Sequence, residues 1–90
     1  MRFIADPPAH RLSLPLDGLT LVFHRPSGAT HILSTPAPEI LDALEEGPAD
    51  ARAIVERLAL RHGAEAGEDA EAVVAARLAE LEAVGLVQRQ

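Results

Sequence analysis

Four histidines, His10, His24, His31 and His62, are the only side chains in this ninety-residue sequence whose ordinary pKa lies near neutrality. They are therefore the first candidates for acid–base work or metal ligation. His24 and His31 lie in the stretch HRPSGATHIL, which reads as a strand, a turn and a second strand. With Pro26, Ser27, Gly28 and Ala29 closing the turn, His24 pairs with His31, Phe23 with Ile32 and Val22 with Leu33. Two facing imidazoles can hold a metal, but a stable site takes three or four ligands, and neither a cysteine nor an HxxxH spacing supplies the others. A cross-strand pair shielding the sheet face needs fewer assumptions.

The carboxylates fare no better. Glu45-Glu46 and the group Glu65, Glu68, Asp69 and Glu71 lack the glycine-centred alternation of a calcium loop, and a solvated helix face accounts for them. Ser13, Ser27 and Ser34 have no nucleophile-elbow context, while Gly18 and Gly28 sit in turns and make no phosphate-cradling repeat. We read the chain as a non-enzyme with no cofactor and no metal.

Composition narrows the remaining roles. Ninety residues make one small domain, 1–90, with a single core. Hydrophobic residues are 48% of the chain and aromatics only 2%, Phe3 and Phe23, so Leu, Val, Ile and Ala must fill that core. The absence of cysteine suits a reducing compartment. No run approaches the roughly 18 apolar residues of a membrane span, and MRFIADPP is not a signal peptide, so a soluble cytoplasmic protein without membrane contact is expected. Fourteen acidic residues against eight basic give a net charge of −6, with the acids crowded into 39–82. Such a chain is repelled by phosphates, which argues against nucleic acid as a partner.

The elements follow from periodicity. Residues 1–10, with Asp6-Pro7-Pro8, read as an irregular arm. RLSLPL alternates strictly and places Leu12, Leu14 and Leu16 on one face of a half-buried strand, with Pro15 suited to an edge. Asp17-Gly18 is a hairpin turn, LTLVFH the second strand and Thr30 to Leu33 the third. Thr35-Pro36 predicts a helix start with a threonine cap and a stripe of Ile40, Leu41 and Leu44, ended by Gly47-Pro48. Asp50 caps a second helix, with Ile54, Val55, Leu58 and either Leu60 or Ala59 toward the core, stopped by Gly63. After the polar loop GAEAGED, a third helix runs from about Asp69 to Val84 on Ala70, Val74, Leu78 and Leu81, leaving LVQRQ as a short tail. The fold class is α+β: a three-stranded antiparallel sheet followed by three helices, winged-helix-like.

In a meander of three strands the first and third are edges. Proline blunts the first, and nothing in its own sequence blunts the third, so the third edge is free to pair with another chain.

RFIADPP, then DGLTLVFHRPSGATHILSTPAPEILDALEEGP, then LAELEAVGLV, resembles the PqqD-like peptide chaperones over nearly the whole chain, most closely the HPr-rel-A system branch found beside an HPr-kinase-related protein. The most specific piece is SGATHIL followed by a helix ending in EEGP. Where relatives often carry Trp in the arm and first strand, this chain has Phe3 and leucines.

The resemblance implies a RiPP recognition element that binds the leader of a ribosomally made precursor peptide as an added strand and presents the remainder to a modifying enzyme, possibly the HPr-kinase-related protein. Carried onto this sequence, the docking strand is Thr30, His31, Ile32 and Leu33. Val73, Arg77, Glu80 and Val84 on the third helix are the candidate groove wall, with Leu78 and Leu81 in the core.

Two other readings remain open. Helices two and three could form a DNA-binding helix-turn-helix, although Asp69, Glu71, Glu80 and Glu82 against the single Arg77 are the reverse of a phosphate-seeking surface. A structural subunit could instead use the third strand's edge to form a homodimer.

Overall fold

The computed structural model describes residues 1–63 and 67–90; Glu65, in the acidic group, lies outside the described residues. The elements in chain order are β1 (Phe3–Ala5), a 3₁₀ turn (Pro8–His10), β2 (Arg11–Leu16), β3 (Leu19–His24), β4 (Ala29–Ser34), α1 (Ala37–Leu44), α2 (Ala51–His62), α3 (Ala70–Ala83) and β5 (Val87–Arg89). β2, β3 and β4 form an antiparallel meander with β3 in the middle, and β1 pairs with β5 in a separate two-stranded sheet. The expected α+β architecture is present. Two of its parts differ from expectation, because the arm 1–10 contains a strand and the tail LVQRQ supplies that strand's partner. Runs of three residues are too short to show a period, and their hydrogen bonds come from residues more than 80 positions away.

The β2–β3 turn is built as its sequence requires. Asp17 and Gly18 both take positive φ, 47° and 80°, the backbone of a type I′ turn. The β3–β4 turn occupies Arg25 to Gly28, one residue earlier than expected, closed by the Gly28 N–H donating to the His24 carbonyl at 2.9 Å with Gly28 at φ 71°. His24 therefore faces Ala29, Phe23 faces Thr30 and Val22 faces His31. The register has moved by two residues, and the histidines are not opposite one another.

The largest correction concerns the sheet's two faces. Val22 and His24 point toward the helices and are buried, and their neighbours on that face of β2 are Arg11 and Ser13. Leu12, Leu14 and Leu16 point the other way and are more than half exposed. Alternation shows that the leucines share a face; it carries no sign to say which face is covered.

The core lies between the inner sheet face and the helices. Ile40, Ile54, Leu78, Leu81, Leu86, Val22 and Val87 are its largest fully buried side chains, all aliphatic. Asp50 caps α2 by accepting from the Ala53 N–H at 2.8 Å, and Gly63 ends it at φ 64°. Leu60 is 87% exposed, so the core-facing alternative at that turn is Ala59. Thr35 does not cap α1: its hydroxyl donates to Glu39 Oε2 at 2.7 Å, while Pro36 occupies the cap position. At the other end of α1, Arg57 donates to the carbonyls of Ala43, Gly47 and Pro48 at 2.7 to 3.2 Å, satisfying acceptors that the helix end leaves open.

A buried polar cluster joins the N-terminal segment to the meander. Asp6 Oδ2 accepts from His24 Nε2 at 2.8 Å and from His10 Nδ1 at 3.0 Å, and the Ser27 hydroxyl meets His24 Nδ1 at 2.8 Å. Arg11 donates to the Asp6 carbonyl and to Glu45 Oε1, linking the same segment to the end of α1. Burial raises the Asp6 pKa, but the hydrogen bonds and positive potential of His24 and His10 outweigh it and hold the carboxyl below its ordinary 3.8. A depressed folded value contributes stability that is complete above the unfolded pKa and is lost as pH falls through the folded one. Asp6→Ala should cost about 1–3 kcal/mol at pH 7, because it strands buried donors. In urea titrations the gap between wild type and variant should hold down to about pH 4 and close below it.

Candidate functional site

The free edge of the sheet follows from the hairpin geometry. The I′ turn makes Leu16 and Leu19 a hydrogen-bonded pair, so Leu19, Leu21 and Phe23 bond to β2 while Thr20, Val22 and His24 bond to β4. On β4 the bonded residues are Ala29, His31 and Leu33. Thr30, Ile32 and Ser34 thus aim their N–H and C=O groups away from the sheet. The same parity puts Pro15 at the opposite free edge, where its missing N–H costs no ladder bond.

Beside the β4 edge runs α3, and its rotation separates two stripes. Val74, Leu78 and Leu81 face inward and are buried. Val73, Arg77, Glu80 and Val84, spaced four, three and four, form the adjacent stripe. Between the edge and this stripe lies an open groove of about 560 Å³, lined by Thr30, His31, Ile32, Leu33 and Ser34 on one side and Arg77, Glu80 and Val84 on the other, with Ala37 and Leu81 at its base. Seven of the eight residues singled out from the sequence line this groove. The eighth, Val73, lines a neighbouring cavity of about 440 Å³ between α1, α2 and α3, whose walls include Val55, Leu58 and Val74. Ser34 borders the groove and Thr35 the cavity, so the two adjoin along α3.

On the groove wall Arg77 Nε forms an ion pair with Glu80 Oε2 at 2.6 Å, one helical turn along the stripe. His31 Nε2, in the same groove, is buried without a partner, as is Glu39 Oε1 at the cavity. These two atoms border the groove and the cavity respectively.

Elsewhere Glu45 pairs with Arg11, Glu46 with Arg61 and Glu82 with Arg89. The Asp6–His24–Ser27 cluster has the residue types of a hydrolytic triad, but the Ser27 oxygen also accepts from the Ala29 N–H at 3.2 Å, which fixes it into the turn. It braces the hairpin. Reading the sequence missed this cluster, whose members are 18 residues apart and carry no motif.

The family model for coenzyme PQQ synthesis protein D, PqqD, matches residues 20–87. The chain belongs to the PqqD family. The match spans β3, β4, all three helices and the start of β5, and so includes both walls of the groove. PqqD proteins are non-catalytic accessory proteins that bind a precursor peptide and work with modifying enzymes. No curated protein and no solved structure matches the chain. Within this PqqD domain, no helix among the described residues is long and apolar enough to cross a membrane.

The two stripes of α3 should respond differently to truncation. Leu78→Ala, at a fully buried position, should cost about 2–5 kcal/mol. Val84→Ala, on the 42% exposed groove wall, should stay within about 1 kcal/mol of wild type. Urea titration of both variants measures the difference.

Proposed function

We propose that this protein is a non-catalytic peptide chaperone that takes the leader of a ribosomally synthesised precursor as an added strand on β4 and offers the rest of the precursor to a modifying enzyme. The observation that carries this reading is the unpaired β4 edge lying beside the α3 stripe in a chain of the PqqD family. The leader's main chain bonds to Thr30, Ile32 and Ser34, and its side chains pack on Val84, Glu80 and Arg77. A leader running past Ser34 reaches the apolar cavity at Val73. The HPr-rel-A branch and the winged-helix likeness belong to this reading, and they name an HPr-kinase-related protein as the enzyme partner in the cytoplasm.

Magnitudes say what sets the affinity. Strand-addition hydrogen bonds are worth about 0.5–1.5 kcal/mol each, so the few available here yield a sum comparable to the cost of ordering a flexible peptide. Side-chain burial must supply the surplus. The Arg77 guanidinium on the groove wall favours a leader that brings acceptors to it.

The test is an amide chemical-shift titration of the labelled protein with the synthetic N-terminal half of any short open reading frame encoded nearby. Shifts should concentrate at residues 30–34 and along 73–84. Ile32→Pro removes an outward N–H that the sheet does not use, so the variant should keep its circular dichroism and lose binding; a folded variant that binds normally removes the strand-addition model. Arg77→Glu should weaken an acidic leader by about 1 kcal/mol, roughly fivefold, and a neutral one less; equal effects would return Arg77 to the solvated surface.

A further inference from the structure

The outer face of the β2–β3–β4 sheet is not used by the peptide reading and carries most of the large hydrophobic side chains exposed among the described residues. Leu12, Leu14, Leu16, Leu19, Phe23 and Ile32 stand on it, 38 to 66% exposed. Leu21 lies among them, and only Thr30 and Ser34 make the remaining outward positions polar. No outward position on the three strands carries a charge. The area is on the order of 500 Å², at the upper end of what a monomer leaves bare.

We infer that this face is a homodimer interface, on which a second copy of the chain packs sheet against sheet about 10 Å apart. Three features select a second copy over a different protein. Interfaces between proteins that meet and part are about as apolar as ordinary surface, whereas homodimer interfaces are distinctly more so, and this face has no charged side chain at all.

The second feature is charge placement. All acidic residues except Asp6 and Asp17 lie between Glu39 and Glu82, in the helical part of the chain. The sheet face is therefore where two chains of net charge −6 approach with least repulsion. The third is the sheet's ends. Asp17 in the β2–β3 turn and Arg25 in the β3–β4 turn sit at opposite ends, both exposed and neither in an ion pair among the described residues. A two-fold axis crossing the strands reverses their direction in the second copy, which brings Asp17 toward the partner's Arg25 twice. About 500 Å² from each copy gives roughly 1,000 Å² in total, the lower bound of a specific interface, so the dimer should dissociate on dilution. The β4 edges and their grooves stay open in this arrangement, and each dimer offers two peptide sites.

Sedimentation velocity of the full chain from about 1 μM to about 500 μM should show a monomer–dimer equilibrium. Leu14→Glu, at an exposed position, should keep the wild-type circular dichroism and melting temperature and raise the dimer dissociation constant by about a hundredfold or more, because it brings two unpaired charges into an apolar contact. Leu16→Glu is read in the same way and stands in if the first variant misfolds. Arg25→Glu should weaken the dimer less, by about threefold to tenfold. A wild-type chain that stays monomeric at 500 μM overturns the inference, and so does a dimer that survives both leucine variants. The readout is independent of the leader, since both leucine variants should retain the peptide-induced shifts at residues 30–34.

Discussion

A three-stranded sheet has two faces and two edges, and a ninety-residue chain with an all-aliphatic core has enough helix to cover only one face. That constraint shapes the rest of the molecule. The three helices and β5 fill the inner side of the meander with Ile, Leu and Val packed at close range, and almost nothing is left for the outer side. What remains uncovered is orderly: one edge ends in proline, the other presents the main chain of Thr30, Ile32 and Ser34, and the outer face presents leucines. Coverage on one side also brings α3 close to β4, so that the free edge borders a groove and not open water.

The covered side is held in place by polar contacts as well as by apolar burial. β1 is gripped by β5 on one side and by the α1–α2 connection on the other, where Phe3 and Ala49 exchange main-chain hydrogen bonds at 2.8 and 3.0 Å. From the end of that strand Asp6 reaches His24, and Arg11 reaches Glu45, so the first eleven residues tie the meander to the helical layer. Buried polar groups this well satisfied specify a single arrangement more than they add net stability.

Polar pairing is uneven across the molecule. Glu45, Glu46 and Glu82 have arginine partners, Arg77 pairs with Glu80, and the open carbonyls at the end of α1 have Arg57, whereas His31 Nε2 and Glu39 Oε1 are buried with no protein partner. The groove and the free β4 edge lie within the part of the chain that the PqqD family model matches.

Much of this was legible in the residues because the signals are local. Asp17-Gly18 demands its turn, Asp50 and Gly63 bracket α2, and Val74, Leu78 and Leu81 at helical spacing mark the buried stripe of α3, which leaves Arg77, Glu80 and Val84 on the stripe beside it. Other features depend on partners distant in the chain. The strands Phe3–Ala5 and Val87–Arg89 exist only because each finds the other. The His24 register turned on whether the loop began at Arg25 or Pro26, a choice made by Gly28 and by the bonds of His24 to Ser27 and Asp6. The leucines of β2 show the limit most plainly. Their alternation determines that they stand together, but a period of two is unchanged when the strand is turned over. Only the packing of the helices against Val22 and His24 decided that the leucines face outward.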